Sequence, residues 1–291
     1  MRIRTAFCIL LAAAVGACNS GNSADHREYS LHGQILALAP DHKDANIKHD
    51  DIKGFMPAMT MPYKVQDTKE YDNLAAGDVI DATLVVVSND AYLKNVKKVG
   101  TAPLPAPPAE TSMSASSGFE LLKLGQPVPD GKFVDQDGKP VTLAAYRGSV
   151  VLVTFMYTSC PMPTFCPLMD RHFAAIQEKL KAKRNQLHAH LLSVSIDPVV
   201  DTPAVLKEHA QKLNADPRLW TFLTGDRDDL DQWGARFGVS VSRALNDPKD
   251  ITHNLRTAII DRQGNLVQTY TGNEWTPEQV LADAEVMVGV D

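Results

Sequence analysis

The chain has 291 residues, 44% hydrophobic and 22% charged, with a formal net charge of −6. At ~100–200 residues per domain this leaves room for two globular domains of ordinary composition. An acidic chain without Lys/Arg clusters argues against nucleic acid as a partner, and no stretch reaches the ~20 apolar residues of a transmembrane helix.

In chain order, Arg2 and Arg4 precede an apolar run from Ala6 to Val15, and Val15-Gly16-Ala17-Cys18 resembles the lipobox of bacterial lipoproteins. The resemblance implies a signal peptide over residues 1–17, lipid on Cys18, and a tether over 18–26. The mature body would then sit on the extracytoplasmic side of a bacterial membrane, inner or outer, held there by the lipid. Cleavage removes Cys8 and two arginines, so formal charge becomes −8 and Cys160 and Cys166 are the only thiols besides the lipidated one.

Residues 27–100 alternate short strand candidates with turn residues: Tyr29 to Ala39, Asn46 to His49, Ala58 to Val65, Asp78 to Val87 and Tyr92 to Val99. No segment has a helical period, and a small all-β five-stranded barrel is the natural closure. Within it, three of the nine methionines fall in Met56-Pro-Ala-Met59-Thr-Met61. On a strand Met59 and Met61 share a face, so with His49 they form a candidate trigonal site for a soft ion such as Cu(I) or Ag(I). The alternative is a flexible methionine patch filling a small core.

This stretch resembles the periplasmic copper-binding domains of the CusF type, in which a histidine precedes Pro-x-Met-Thr-Met by about a dozen residues. The resemblance implies His49, Met59 and Met61 as copper ligands. Met56 stands where that family has a tryptophan capping the metal, so it is either a fourth sulfur ligand or a sign that the cap is missing.

Prolines and then small polar residues over 101–117 read as a linker, and a larger domain runs from 118 to 291. There, Phe133 to Leu143 folds about the Asp135 to Gly138 turn, and Val150 to Tyr157 reads as a central strand buried on both faces. A helix follows from Pro167 to about Lys183. Next come a strand at Ala189 to Ile196, a helix at about Thr202 to Leu213, with Asp201 or Thr202 as its N-cap, a strand at Trp220 to Leu223 and a helix at about Asp229 to Phe237. A hairpin, Thr257 to Asp261 with Asn265 to Tyr270, and a helix at about Pro277 to Val288 close an α/β, thioredoxin-like layout.

Cys160 and Cys166 follow the central strand with five residues between them. Six residues along a helix is ~9 Å of rise and about 240° of rotation, so the thiols would not meet on one helix. Pro161, Pro163 and Pro167 favour a loop that folds them together, and a helix starting near Pro167 is expected to help lower the Cys166 pKa. His253, just before the hairpin, is the candidate third group. Met162, between the cysteines, either approaches a metal or packs the loop.

The segments Thr158-Ser-Cys160-Pro, Cys166-Pro167, Ser193-Val-Ser-Ile-Asp197-Pro198, Asp201-Thr-Pro203, His253 and Ile259-Ile-Asp261 resemble the Sco/SenC family of thioredoxin-fold copper proteins linked to cytochrome c oxidase assembly. The resemblance implies Cys160, Cys166 and His253 as ligands of Cu(I) and Cu(II). The commonest family spacing has three residues between the cysteines, not five. Together the resemblances imply a lipid-anchored periplasmic copper chaperone. Its acceptor would be the apo copper site of a respiratory oxidase subunit or another periplasmic copper carrier. Two alternatives stay open: a thiol-disulfide oxidoreductase with Cys160 and Cys166 as its redox pair, and copper sequestration for resistance.

Overall fold

Alternation of buried and exposed side chains builds the N-terminal part of the protein. The computed structural model describes it over residues 26–56 and 58–104, and the remainder over 120–182, 187–243 and 251–286. The expected signal peptide, Cys18, nearly all of the tether and the linker beyond residue 104 lie outside the described residues. Among the described residues no helix is long and apolar enough to cross a membrane.

Five strands, β1 (Arg27–Leu38), β2 (Asp44–His49), β3 (Met59–Lys64), β4 (Asp78–Val87) and β5 (Asp90–Thr101), form an antiparallel sheet in the order β3-β2-β1-β4-β5. Their inward residues, among them Leu31, Ile35, Ile47, Met61, Tyr63, Ile80, Leu84 and Leu93, pack into one core. Val65, just past β3, bridges Leu93 of β5, and the Gln66 N–H donates to the Leu93 carbonyl at 2.9 Å. The two edges therefore meet, which closes the sheet into the expected barrel and hides its unpaired strands. A single 3₁₀ turn, Thr68–Tyr71, interrupts the strands; four residues are too few to display a helical period. Gly33 on β1 lies opposite His49 on β2. A Cβ there would come within 2.9 Å of the His49 Cα, so glycine allows the histidine strand to approach this closely.

The C-terminal part is an α/β sandwich. Its elements are β6 (Phe133–Asp135), β7 (Pro140–Val141), β8 (Val150–Met156), α1 (Cys166–Ala182), β9 (Ala189–Ser195), α2 (Pro203–Lys212), β10 (Trp220–Thr224) and α3 (Arg227–Arg236). They continue with β11 (Val241–Arg243), β12 (Ile251–His253), β13 (Arg256–Ile260), β14 (Leu266–Thr271) and α4 (Pro277–Val286). Seven strands run in the order β14-β13-β8-β9-β10-β6-β7, with β8, β9 and β10 parallel. All seven residues of β8 are buried, because helices cover both faces of the sheet. Met169, Phe173 and Ile176 of α1, Leu206 of α2 and Val280 of α4 pack on Leu152, Leu191 and Phe222; Leu230 and Trp233 of α3 pack opposite, on Val153, Phe155 and Val194.

The expected elements are present with ends shifted by at most two residues. The two-stranded ladder of β11 and β12 is additional; it pairs Val241 with His253 and so fixes where that histidine stands. The barrel rests on the thiol end of the sandwich. Met162, from the loop between the cysteines, is 4% exposed and belongs to the barrel core, while Cys160 and Phe165 pack at that core's margin.

Candidate metal centres

The thiol loop is shaped by where a helix can begin. β8 ends at Met156, prolines at 161 and 163 prevent helix from starting early, and α1 begins at Cys166 with Pro167 in its first turn. Asp201 anchors the loop from the other side. Its fully buried carboxylate accepts the Thr158 N–H at 3.1 Å, the Thr158 hydroxyl, and the Ser195 hydroxyl at 2.7 Å. The N-cap of α2 is Thr202, whose side chain accepts from the Val205 N–H; Asp201 is turned inward to serve the thiol loop. Nothing in the local pattern distinguishes these two roles, which depend on a contact across 43 residues of chain.

Both cysteines are free thiols, Cys166 buried and Cys160 half-buried. The loop brings them near enough for each to shift the other's proton affinity despite the longer spacing. The Cys160 pKa is lowered to about 7, first by the hydrogen bond from the Cys166 side chain, against desolvation, and further by backbone N–H groups of Cys166 and Met162. The Cys166 pKa is raised, chiefly by burial and then by its neighbour Cys160. This reverses the expectation that the helix start would favour a Cys166 thiolate: complete burial outweighs a helix terminus.

Cys166 Sγ lies 3.4 Å from His253 Nε2. The other ring nitrogen, Nδ1, donates to the Asn254 carbonyl at 3.0 Å, which leaves the lone pair on Nε2, facing the sulfur. Desolvation lowers the His253 pKa to about 4, so the ring is neutral at pH 7 and able to act as a ligand. Among the described residues no three His, Cys, Asp or Glu side chains yet converge on a single point. Of the three candidate ligands, Cys166 and His253 are in direct contact.

The barrel repeats the device. His49 Nδ1 donates to the Asp50 carbonyl at 2.7 Å, again directing the lone pair to Nε2. His49 is paired directly across the ladder with Met59, and Ile47 with Met61, so the imidazole and both thioethers lie on one face of the β2-β3 pair. Met56 is 3% exposed, and its sulfur accepts a hydrogen bond from the Tyr63 hydroxyl at 3.7 Å. The donor sets of both places suit a soft d¹⁰ ion: two thiols with an imidazole, and two thioethers with an imidazole.

The two places are not separate surfaces. Met59, Met61, Cys160, Met162 and His253 line one cavity of about 250 Å³, and the Thr252 hydroxyl stands 4.0 Å from the Met59 sulfur. Sequence reasoning identified each group; their facing one another depends on how the barrel docks.

Such a fold, with paired thiols after the central strand and an imidazole from the β11-β12 ladder, defines a thioredoxin-like dithiol protein with soft-donor side chains beside the thiols. The chain belongs to the SCO1/SenC family, whose model matches residues 127–289, more than half its length. Residues 28–98 match a second model, that of the copper binding periplasmic protein CusF. The SCO1 protein homolog of Bacillus subtilis is 29% identical over 155 residues, covering 53% of this chain and 78% of its own. Among solved structures, BsSco, described as carrying a disulfide switch and as a member of the Sco family of cytochrome c oxidase assembly proteins, superposes with a TM-score of 0.50. It is 27% identical and covers 59% of this chain and all of its own. A SCO1/SenC family lipoprotein from Bacillus anthracis also has a TM-score of 0.50, at 28% identity over 57% of this chain and 99% of its own.

Proposed function

We propose that this protein is a lipid-anchored periplasmic copper carrier that supplies copper for cytochrome c oxidase assembly. Cys160, Cys166 and His253 form its principal site, and His49, Met59 and Met61 a second one. The observation that carries this reading is the Cys166–His253 contact at 3.4 Å beside a second thiol, with the histidine lone pair directed to the sulfur. The matches to SCO1/SenC and to CusF over separate parts of the chain support copper as the cargo. The likeness to a SCO1/SenC family lipoprotein supports anchoring at Cys18. Delivery runs by ligand exchange with an acceptor's apo copper site, and Met56 stays with Tyr63 as packing.

The full chain titrated with Cu(II) should develop an intense visible thiolate-to-copper charge-transfer band, shifted by His253→Ala and lost in Cys160→Ser. A spectrum without that band would refute the principal site. In cells, deletion should lower oxidase activity and added copper should restore it.

A second reading draws on the thiol asymmetry. A Cys160 thiolate near pH 7 beside a protonated Cys166 suits attack on a disulfide followed by resolution. The protein would then reduce an acceptor's cysteines. Disulfide reduction by metal-free protein at rates matching oxidase maturation would favour this reading over copper delivery.

A further inference from the structure

Two soft-ion sites acting independently would each face solvent, where partners can reach them. Here Met59 and Met61 of one donor set and Cys160 and His253 of the other open into the same cavity of about 250 Å³. Met162 is the residue that joins them. Its side chain is buried in the core of the barrel, and Cys160 packs against that same core. The loop between the cysteines thus places a thioether on the barrel side of the thiol pair. Met59 reaches toward it from the facing strand and is only half-buried, with its sulfur 4.0 Å from the Thr252 hydroxyl, next to His253. Leucine would fill the same volume as either methionine; what methionine adds is a soft donor atom.

We propose that this cavity is itself a soft-cation site, with the Met59 and Met162 thioethers and the Cys160 sulfur as its donors. Through it a cuprous ion crosses between the barrel and the sandwich without entering bulk water. The inference rests on the copper reading above and adds a third place and a route. In the crossing, the ion first gives up His49 and Met61; its bond to Met59 sulfur then breaks as a bond to Cys160 sulfur forms, with Met162 holding the ion between them. The Cys160 thiol proton passes to water, the ion remains Cu(I), and no electron moves. Thioethers exchange readily and thiolates hold more tightly, so the direction favours the cysteines. Because the donors belong to one chain, the step is independent of protein concentration.

The test uses the full chain, with ¹³C-methyl methionine and Ag(I) as a redox-inert probe under reducing conditions. The methyl resonances of Met59 and Met162 should shift together as Ag(I) is added. Met162→Leu should slow the equilibration of substoichiometric Ag(I) between barrel and thiols at least tenfold. A Met162 methyl that stays unmoved while Met59 and Met61 shift and the thiols become protected from alkylation would overturn the inference and leave both end sites standing. If no methionine shifts and no thiol is protected, the copper reading itself fails, and the inference with it.

Discussion

Asp201 holds the Thr158 backbone N–H at 3.1 Å, tying the loop after β9 to the strand end that carries the thiols. The same carboxylate takes the Ser195 hydroxyl, so one buried acceptor serves a donor just past β8 and one at the end of β9. Asp201→Ala strands those donors in a dry interior, where breaking such a network costs about 3 kcal/mol. At this size that lowers the melting temperature by roughly 6–12 °C. Asp201→Asn keeps the shape and one acceptor oxygen and should lose less. Thermal unfolding of both variants checks the ranking, and the alanine variant should also bind Cu(I) more weakly because Thr158 sets the start of the loop.

The thiol asymmetry gives a pH dependence. Alkylation of the metal-free protein by iodoacetamide should rise as pH increases through about 7, because Cys160 is then shedding its proton, with Cys166 reacting far more slowly. Since the Cys166 side chain is the largest cause of the lowering, Cys166→Ala should move the midpoint upward toward that of an ordinary thiol. A midpoint unchanged by Cys166→Ala would mean that the backbone N–H groups alone stabilise the thiolate.

Much of this was legible in residue patterns. Alternation marked the barrel strands, a continuous apolar run marked β8, and the soft donor types identified Cys160, Cys166, His253, His49, Met59 and Met61 one by one. What could not be read were the properties that belong to pairs distant in sequence. The inward turn of Asp201 depends on Thr158, and the burial that raises the Cys166 pKa comes from packing around α1. Met162 looks like a loop residue until the barrel is seen to enclose it. The β11-β12 ladder is three residues on each side, too short to show a period.

The barrel site makes a separable prediction. In a Cys160→Ser/Cys166→Ser background the full chain should still bind one Cu(I). Adding Met59→Leu and Met61→Leu removes two of the three donors and should weaken binding beyond the ~10–100-fold that outer-sphere partners are worth. Both swaps conserve volume, and Met61 is 4% exposed, so stability should fall by less than ~1.5 kcal/mol per substitution. Equilibrium competition against a Cu(I) chelator, read beside urea unfolding, separates lost ligation from lost fold. Undiminished affinity in the quadruple variant would remove the thioethers from the ligand set.

Met56 stands where a metal-capping side chain is expected, yet its sulfur is already engaged. The Tyr63 hydroxyl donates to it at 3.7 Å inside a core where both side chains are nearly inaccessible. Burial raises the Tyr63 pKa strongly, so the hydroxyl stays protonated and continues to need an acceptor. Met56→Leu keeps the volume but leaves that hydroxyl without the sulfur, at a cost of about 1–3 kcal/mol. Tyr63→Phe in the same chain removes the need and should recover much of the loss, giving a double-mutant cycle with a clear coupling energy. Copper affinity in the thiol-free background should be unchanged by Met56→Leu if the sulfur's role is to accept from Tyr63, and should drop if it ligates copper.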